Sequence, residues 1–349
     1  LTLISTFFIA FTSLFYAQEG AIVTVNIPSE QKYEFTPVID IEASAVKSQG
    51  NTGTCWSFSA SSFIESEIFK NTGEIIDISE MYNVRNTYPM KAWDYVMRQG
   101  QTQFSEGGLA HDVINSIKAK GLVPESAYSG LMFESTQHDH SKIVPKLKIV
   151  LDAFIKNDKS SKYPNWKYSV DSILDIHLGK NPEIFSFNGI TYTPESFLKM
   201  TNFEPSNYVT LTSFLQQPFN TQFILNIPDN FSNGSFYNIM LNELVETVDN
   251  ALEKGFTLAL DCDVSEKTFS SKYGVAVVTK NIDNQEKCLT YIVEETIISP
   301  EFRQQEFENY NTTDDHLMHI IGLVKDQKGN EYYKVKNSWG NTGERIGNN

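Results

Sequence analysis

At 349 residues and 40% hydrophobic content, the chain carries enough apolar side chain for a globular body, as one large domain or two of ordinary size. Its formal net charge of −15 is spread along the sequence without a basic run, so a phosphate backbone would be repelled over most of the surface, which argues against nucleic acid as a partner. Three cysteines, Cys55, Cys262 and Cys288, are too few for a disulfide framework, and their odd number leaves at least one thiol.

The chain opens on LTLISTFFIAFTSLFYAQEG, uncharged and apolar from Leu1 to about Ala17. This reads as the h-region of a secretory signal peptide covering residues 1–17, with export to a periplasmic or extracellular space as the expectation. The stretch is shorter than the roughly 20 residues of a spanning helix, and an uncleaved membrane anchor or a buried strand are the alternatives.

The segment QGNTGTCWSFSASSFIESEIFK places Trp56, Ala60, Phe63 and Ile64 at helical spacing, with Glu65 and Glu67 available for an outer face. Cys55 or its neighbour begins that helix, Thr54 is its expected N-cap, and Gly53 allows a tight turn before it. A second helix is predicted through GGLAHDVINSIKAKG, with Leu109, Val113, Ile114 and Ile117 on one face and Gly121 as its stop. From about Gly130 to Glu246 the pattern is less regular, mixing the helical KIVPKLKIVLDAFIKN with aromatic-rich stretches, and reads as an insertion packed on the main body. Within it, His138 and His140 of QHDH could touch a metal, but a polar surface loop is the preferred reading. No spacing suggests a metal or cofactor site.

The helix LNELVETVDNALEKG then leads into strand-like FTLALDCDV, GVAVV, CLTYIVEE, HLMHIIGLV and YYKVKNSW. Cys262 and Cys288 fall in two of these runs, where a buried apolar cysteine is the plain expectation and a disulfide between them the alternative. The predicted fold class is α+β in a single domain. A helical lobe occupies 33–130, a large and mostly helical insertion 131–246, and a β-rich lobe 247–349. Three N-x-S/T sequons, at Asn230, Asn233 and Asn311, are read as chance matches.

A cysteine attacks a carbonyl only as thiolate, so it needs a partner that takes its proton. Cys55 at a helix N-terminus gains part of that stabilisation from the macrodipole. His316 and His319 lie together at the start of the predicted strand DHLMHIIGLV. Three residues apart on a strand, they point to opposite faces, so only one can serve a given site. The amide of Asn337 in NSWG can hold one imidazole nitrogen while Trp339 covers the bond from water. Gln49, six residues before Cys55, can donate its side-chain amide beside the Cys55 backbone N–H as an oxyanion hole.

QGNTGTCWSFS, DHLMHIIGLV and KNSWG, in that order, resemble the three catalytic blocks of the papain-like cysteine peptidases. The resemblance implies Cys55 as nucleophile, His316 as base and acid, Asn337 as its orienter and Gln49 as oxyanion donor. His316 is preferred to His319 because Asp315, His316 and Gly322 match the family's pattern. Thr52 stands where secreted papains carry a disulfide-forming cysteine, and His316 follows Cys55 by about 260 residues, against about 130–150 in the papain pattern. Both departures resemble the bleomycin hydrolase and bacterial aminopeptidase C branch. So do DISEMYNVRNTYPMKAWDYV, SEGGLAHDVINSIKAKGLVPESAYSG, ALDCDVSEKTFSSKYGVAVV and TTDDHLMHIIGLVKDQKGNEYYKVKNSWG.

By that resemblance the fold is papain-like and two-lobed, with Cys55 on the helical lobe facing His316 and Asn337 across a cleft. SEGGL resembles the wall strand along which a substrate backbone lies closely, which makes Gly107 and Gly108, with Trp339, the expected substrate-binding residues; a turn leading into the helix is the other reading of the two glycines. The implied activity is a cysteine aminopeptidase acting on short peptides, without cofactor or metal. A homo-oligomer, hexameric in several family members, is implied by resemblance only. A papain-like endopeptidase, a non-catalytic peptide-binding protein on the same scaffold and a Cys-dependent acyltransferase are the alternatives.

Overall fold

The computed structural model describes residues 32–156 and 166–340, and the expected signal peptide lies outside them. Among the described residues no helix is long and apolar enough to cross a membrane. The first strand, β1 (Thr36–Asp40), is followed by α1 (Cys55–Thr72), which begins at the predicted cysteine and ends where Gly73 takes a left-handed φ of 73°. Thr54 holds the N-cap position, but its hydroxyl bonds the Thr52 hydroxyl at 2.7 Å and caps no helix N–H. Glu65 and Glu67, expected on an outer face, are buried, because α1 is the central helix and is covered on all sides until its last turn.

Two helices of the same lobe pack on α1. Helix α2 (Glu80–Met97) is capped by Ser79, whose hydroxyl accepts from the Tyr82 N–H, and α3 (Ala110–Lys120) stops at Gly121 as predicted. Helices α4 (Ile143–Lys156) and α5 (Trp166–Leu178) pack on each other and on α2. The inserted region continues with a hairpin of β2 (Phe185–Phe187) and β3 (Ile190–Tyr192), then α6 (Pro194–Met200). It closes with a small sheet of β4 (Leu211–Thr212), β5 (Thr221–Ile224) and β6 (Ser235–Asn238) in the order β4-β6-β5. Helices make up most of the insertion's regular structure, as expected, with the short strands β2–β6 added to them. The QHDH segment is not a free surface loop. It pairs with the loop before α1, His140 donating to the Asn51 carbonyl and Asn51 to that of His138, and His140 is buried.

After α7 (Leu241–Glu253) come β7 (Leu258–Cys262), the short pair β8 (Phe269–Ser270) and β9 (Val275–Ala276), α8 (Pro300–Glu308), and then β10 (His316–Lys325) and β11 (Glu331–Lys336). Strand β10 organises the sheet. It runs antiparallel to β11 on one edge, and on the other to β7 through His316–Ile320 and to β1 through Gly322–Lys325. Residues 36–40, read as part of the helical lobe, therefore belong to the sheet. Gly322 is needed there because a Cβ would sit 2.2 Å from the Ile39 carbonyl oxygen of β1.

CLTYIVEE forms no strand; Lys287–Leu289 is a single 3-10 turn, with Cys288 buried beneath Tyr33, whose hydroxyl donates to the Cys288 carbonyl. No disulfide joins Cys262 and Cys288. The sheet keeps its own cores, Tyr33, Val275, Val277, Val324 and Tyr332 on one side and Leu252, Ile320, Leu323 and Tyr333 on the other. Leu317 alone of the sheet residues joins the large buried core of the helices. The two lobes meet at that point.

Candidate active site

Helix α1 lies on β10 through one face. The Leu317 N–H lies close to the Cys55 sulfur, Ser59 Oγ donates to the Met318 carbonyl at 2.6 Å, and Ser62 Oγ meets His319 Nδ1 at 2.8 Å. Residues 55, 59 and 62 recur at helical spacing, so the helix sets its first sulfur beside the first residues of the strand. His316 begins that strand.

The imidazole of His316 is held at Nε2 by Asn337 Oδ1, 2.7 Å away, just past the end of β11. An amide oxygen only accepts, so this bond puts the ring proton on Nε2 and leaves Nδ1 as the basic nitrogen. The Trp339 ring lies 4.6 Å from the His316 ring, over this pair. The turn carrying Asn337 and Trp339 is itself pinned to the segment before α1. Gln49 N–H donates to the Ser338 carbonyl at 2.8 Å, Gly340 N–H to that of Lys47 at 3.0 Å, and Ser338 Oγ to Gln49 Oε1 at 2.7 Å. One Gln49 side-chain N–H is taken by the Thr52 carbonyl at 2.6 Å.

His319 points away from this group, as strand alternation requires. It is fully buried, bonded to Ser62, and burial drives its basicity down to about 3. Gly107 and Gly108 run beside α1. Glu106 accepts from Trp56 Nε1 through its carbonyl and from the Gly53 N–H through its carboxylate, and a Cβ on Gly108 would come 3.1 Å from the Trp56 ring.

Burial pushes the Cys55 thiol up to about 12, with the Leu317 N–H pulling it down and the carboxylates of Asp261, Asp314 and Asp229 pushing it up further. Burial also lowers the basicity of His316, while the Asn337 bond and Asp315 raise it. Burial thus works against both members of a thiolate–imidazolium pair. Proton transfer between Cys55 and His316 creates two charges that the helix N-terminus, the Leu317 N–H and Asn337 each stabilise.

The sequence reading missed Ser338, which orients Gln49, and the three aspartates around the sulfur. Asp314 stood next to the recognised Asp315-His316 pair, whereas Asp229, in an irregular loop of the insertion, carried no local signal. Among the described residues, Glu65, Asp77 and Glu80 converge closely enough for a cation, but the Lys47 ammonium already bridges Asp77 and Glu80. A cavity of about 1700 Å³, partly lined by Leu109, Phe236, Asp261, Asp314 and Leu317, opens between α1, α3, the insertion and the sheet.

This is the papain-like α+β fold with a thiol, an imidazole and an amide gathered where its lobes meet. The Peptidase C1-like family matches residues 94–348, most of the chain and a span that includes His316 and Asn337, and the chain belongs to that family. Cysteine proteinase 1 of Dictyostelium discoideum is 24% identical over 152 residues, 39% of this chain and 44% of that protein. Procathepsin L of Mus musculus is 38% identical over 84 residues, 24% of this chain and 22% of that protein. The chain thus spans less than half the length of these curated relatives. The crystal structure of PepW from Lactobacillus rhamnosis HN001 superposes with a TM-score of 0.69 over 89% of this chain and 77% of that one, at 18% identity, and shares the fold.

Proposed function

We propose that the protein is a cysteine-type aminopeptidase that removes residues from the N-terminus of short peptides. The observation that carries this reading is the His316–Asn337 bond under Trp339, with the Cys55 sulfur at the adjacent Leu317 N–H. In this mechanism His316 Nδ1 takes the thiol proton as the sulfur attacks the carbonyl carbon. The Cys55 N–H and the second Gln49 side-chain N–H hold the oxyanion. His316 then returns the proton to the leaving amine, forming a thioester, and activates the water that releases the acid. Asn337 keeps the ring in one orientation through both half-reactions.

The restriction to N-terminal residues is supported by the insertion between the two halves of the site and by the fold shared with PepW. The test compares a panel of aminoacyl fluorogenic amides with their N-acetyl counterparts under reducing conditions, with Cys55→Ala as control. Cleavage confined to free amines and lost in Cys55→Ala is expected. Equal cleavage of blocked substrates would make the protein an endopeptidase, and activity surviving in Cys55→Ala would remove the thiol mechanism.

A further inference from the structure

The wall beside the nucleophile is built of glycines, the residues that let another chain approach closely. At Gly107 that place is already taken. A Cβ there would lie 1.8 Å from Asp229 Oδ2, so the carboxylate of Asp229, delivered by the insertion, rests on the wall where an extended substrate backbone would lie. The loop that delivers it is clamped from within. Asn230 donates to the carbonyls of Leu225 and Gly234 and accepts from the Gly234 N–H. Asp229 is held in turn by Gln103 Nε2 at 3.2 Å and Ser105 Oγ at 3.3 Å, and among the described residues both donors reach Oδ1. Its second oxygen is the one turned to the wall.

The charges around the sulfur are not equivalent. Asp261 and Asp314 are buried neighbours whose carboxyls are pushed up to about 7 and about 10 by burial and by the carboxylates around them, and Arg303 faces Asp261. Asp229 has Lys91 as its cationic neighbour, but the Lys91 ammonium spends its bonds on the carbonyls of Ser105 and Gly107. Asp229 is the carboxylate at the wall, raised by its burial, and among the described residues it makes no direct ion pair. Its field reaches the Cys55 sulfur and opposes the thiolate. A cation arriving at Asp229 would remove that opposition.

We propose that Asp229 is the specificity-determining residue of this site: its carboxylate ends the cleft beyond one substrate residue and binds that residue's free α-ammonium group. The assignment rests on the aminopeptidase reading and names the group that enforces it. An N-acylated peptide meets both a filled space and a carboxylate without its cation. A free N-terminus supplies the cation and ends where the space ends.

The test measures kcat and KM of the full chain, Asp229→Asn and Asp229→Ala on the free and N-acetylated amides, with titration of Cys55 by a small thiol reagent to count folded active sites. Asp229→Asn keeps the volume and removes the charge, so KM for free amines is expected to rise about 10- to 100-fold with kcat changed less than about threefold. Asp229→Ala also removes the bulk, and cleavage of blocked substrates is expected to rise about tenfold or more. A wild-type enzyme selective for free amines, whose selectivity and KM survive both substitutions, overturns the assignment alone. A wild-type enzyme that accepts both substrates equally overturns the aminopeptidase reading and the assignment with it.

Discussion

Replacing Asn337 by alanine removes the acceptor that holds His316 Nε2. The bond is short, at 2.7 Å, and in the activated state its donor is a charged imidazolium. Hydrogen bonds to charged groups contribute about 1.5–3 kcal/mol, and the half-exposed position of Asn337 favours the lower end, about 1.5–2 kcal/mol. At 1.4 kcal/mol per tenfold, kcat/KM for a free-amine amide should fall roughly 10- to 30-fold. The same bond raises the basicity of His316 against burial, so its loss lowers that basicity further. A thiolate–imidazolium pair is then lost at lower pH on the alkaline side, and the alkaline limb of kcat/KM should move down in pH. Initial rates from about pH 5 to 9 for wild type and Asn337→Ala, normalised to titrated thiol, measure both effects. A change under twofold, or an alkaline limb that stays in place or moves up, would refute the positioning role.

Ser338→Ala releases Gln49 Oε1, so kcat is expected to fall about tenfold with KM little changed; an equal rise in KM would mean that Gln49 serves ground-state binding instead. Gly322→Ala sets a methyl group against the β1 backbone and should cost about 1–3 kcal/mol in chemical denaturation; an unchanged midpoint would contradict the close approach of β1 and β10. Burial raises Glu65, Glu80, Glu125, Glu266, Glu295 and Asp261 to about 7 and Asp263 to about 8. Their folded values lie above their unfolded ones, so the stability they contribute is complete below the unfolded value and lost as pH rises through the folded one. Burial lowers His138 to about 4 and His319 to about 3, effects confined to pH below the ordinary histidine value of 6.5. Between pH 6.5 and 8.5 the carboxylates therefore decide the sign, and the melting temperature should be higher at 6.5. A higher value at 8.5 would show that these carboxylates are ionised in the fold.

How much was legible follows from what each residue's position depends on. The start of α1 at Cys55, the stop of α3 at Gly121 and the strands at Leu258–Cys262, His316–Lys325 and Glu331–Lys336 were readable because hydrophobic period and turn chemistry are local. The opposed directions of His316 and His319 followed from strand alternation alone. CLTYIVEE has the composition of a strand yet its pairing stops at an isolated bridge between Glu295 and Thr279, because strand composition does not by itself supply a partner.

The sequence by itself determined the chemistry on offer: one thiol at a helix start, an imidazole opening a strand, an amide closing the next, and an acidic chain unsuited to nucleic acid. Only the tertiary structure decided that Thr36–Asp40 crosses to the sheet, that Glu65 and Glu67 are buried, and that Ser338 orients Gln49 from 289 residues away. The same holds for Asp229, which lies on the Gly107 wall. These depend on which surfaces meet when the lobes and the insertion pack, and burial then changes the charge state of groups whose sequence neighbours give no sign of it.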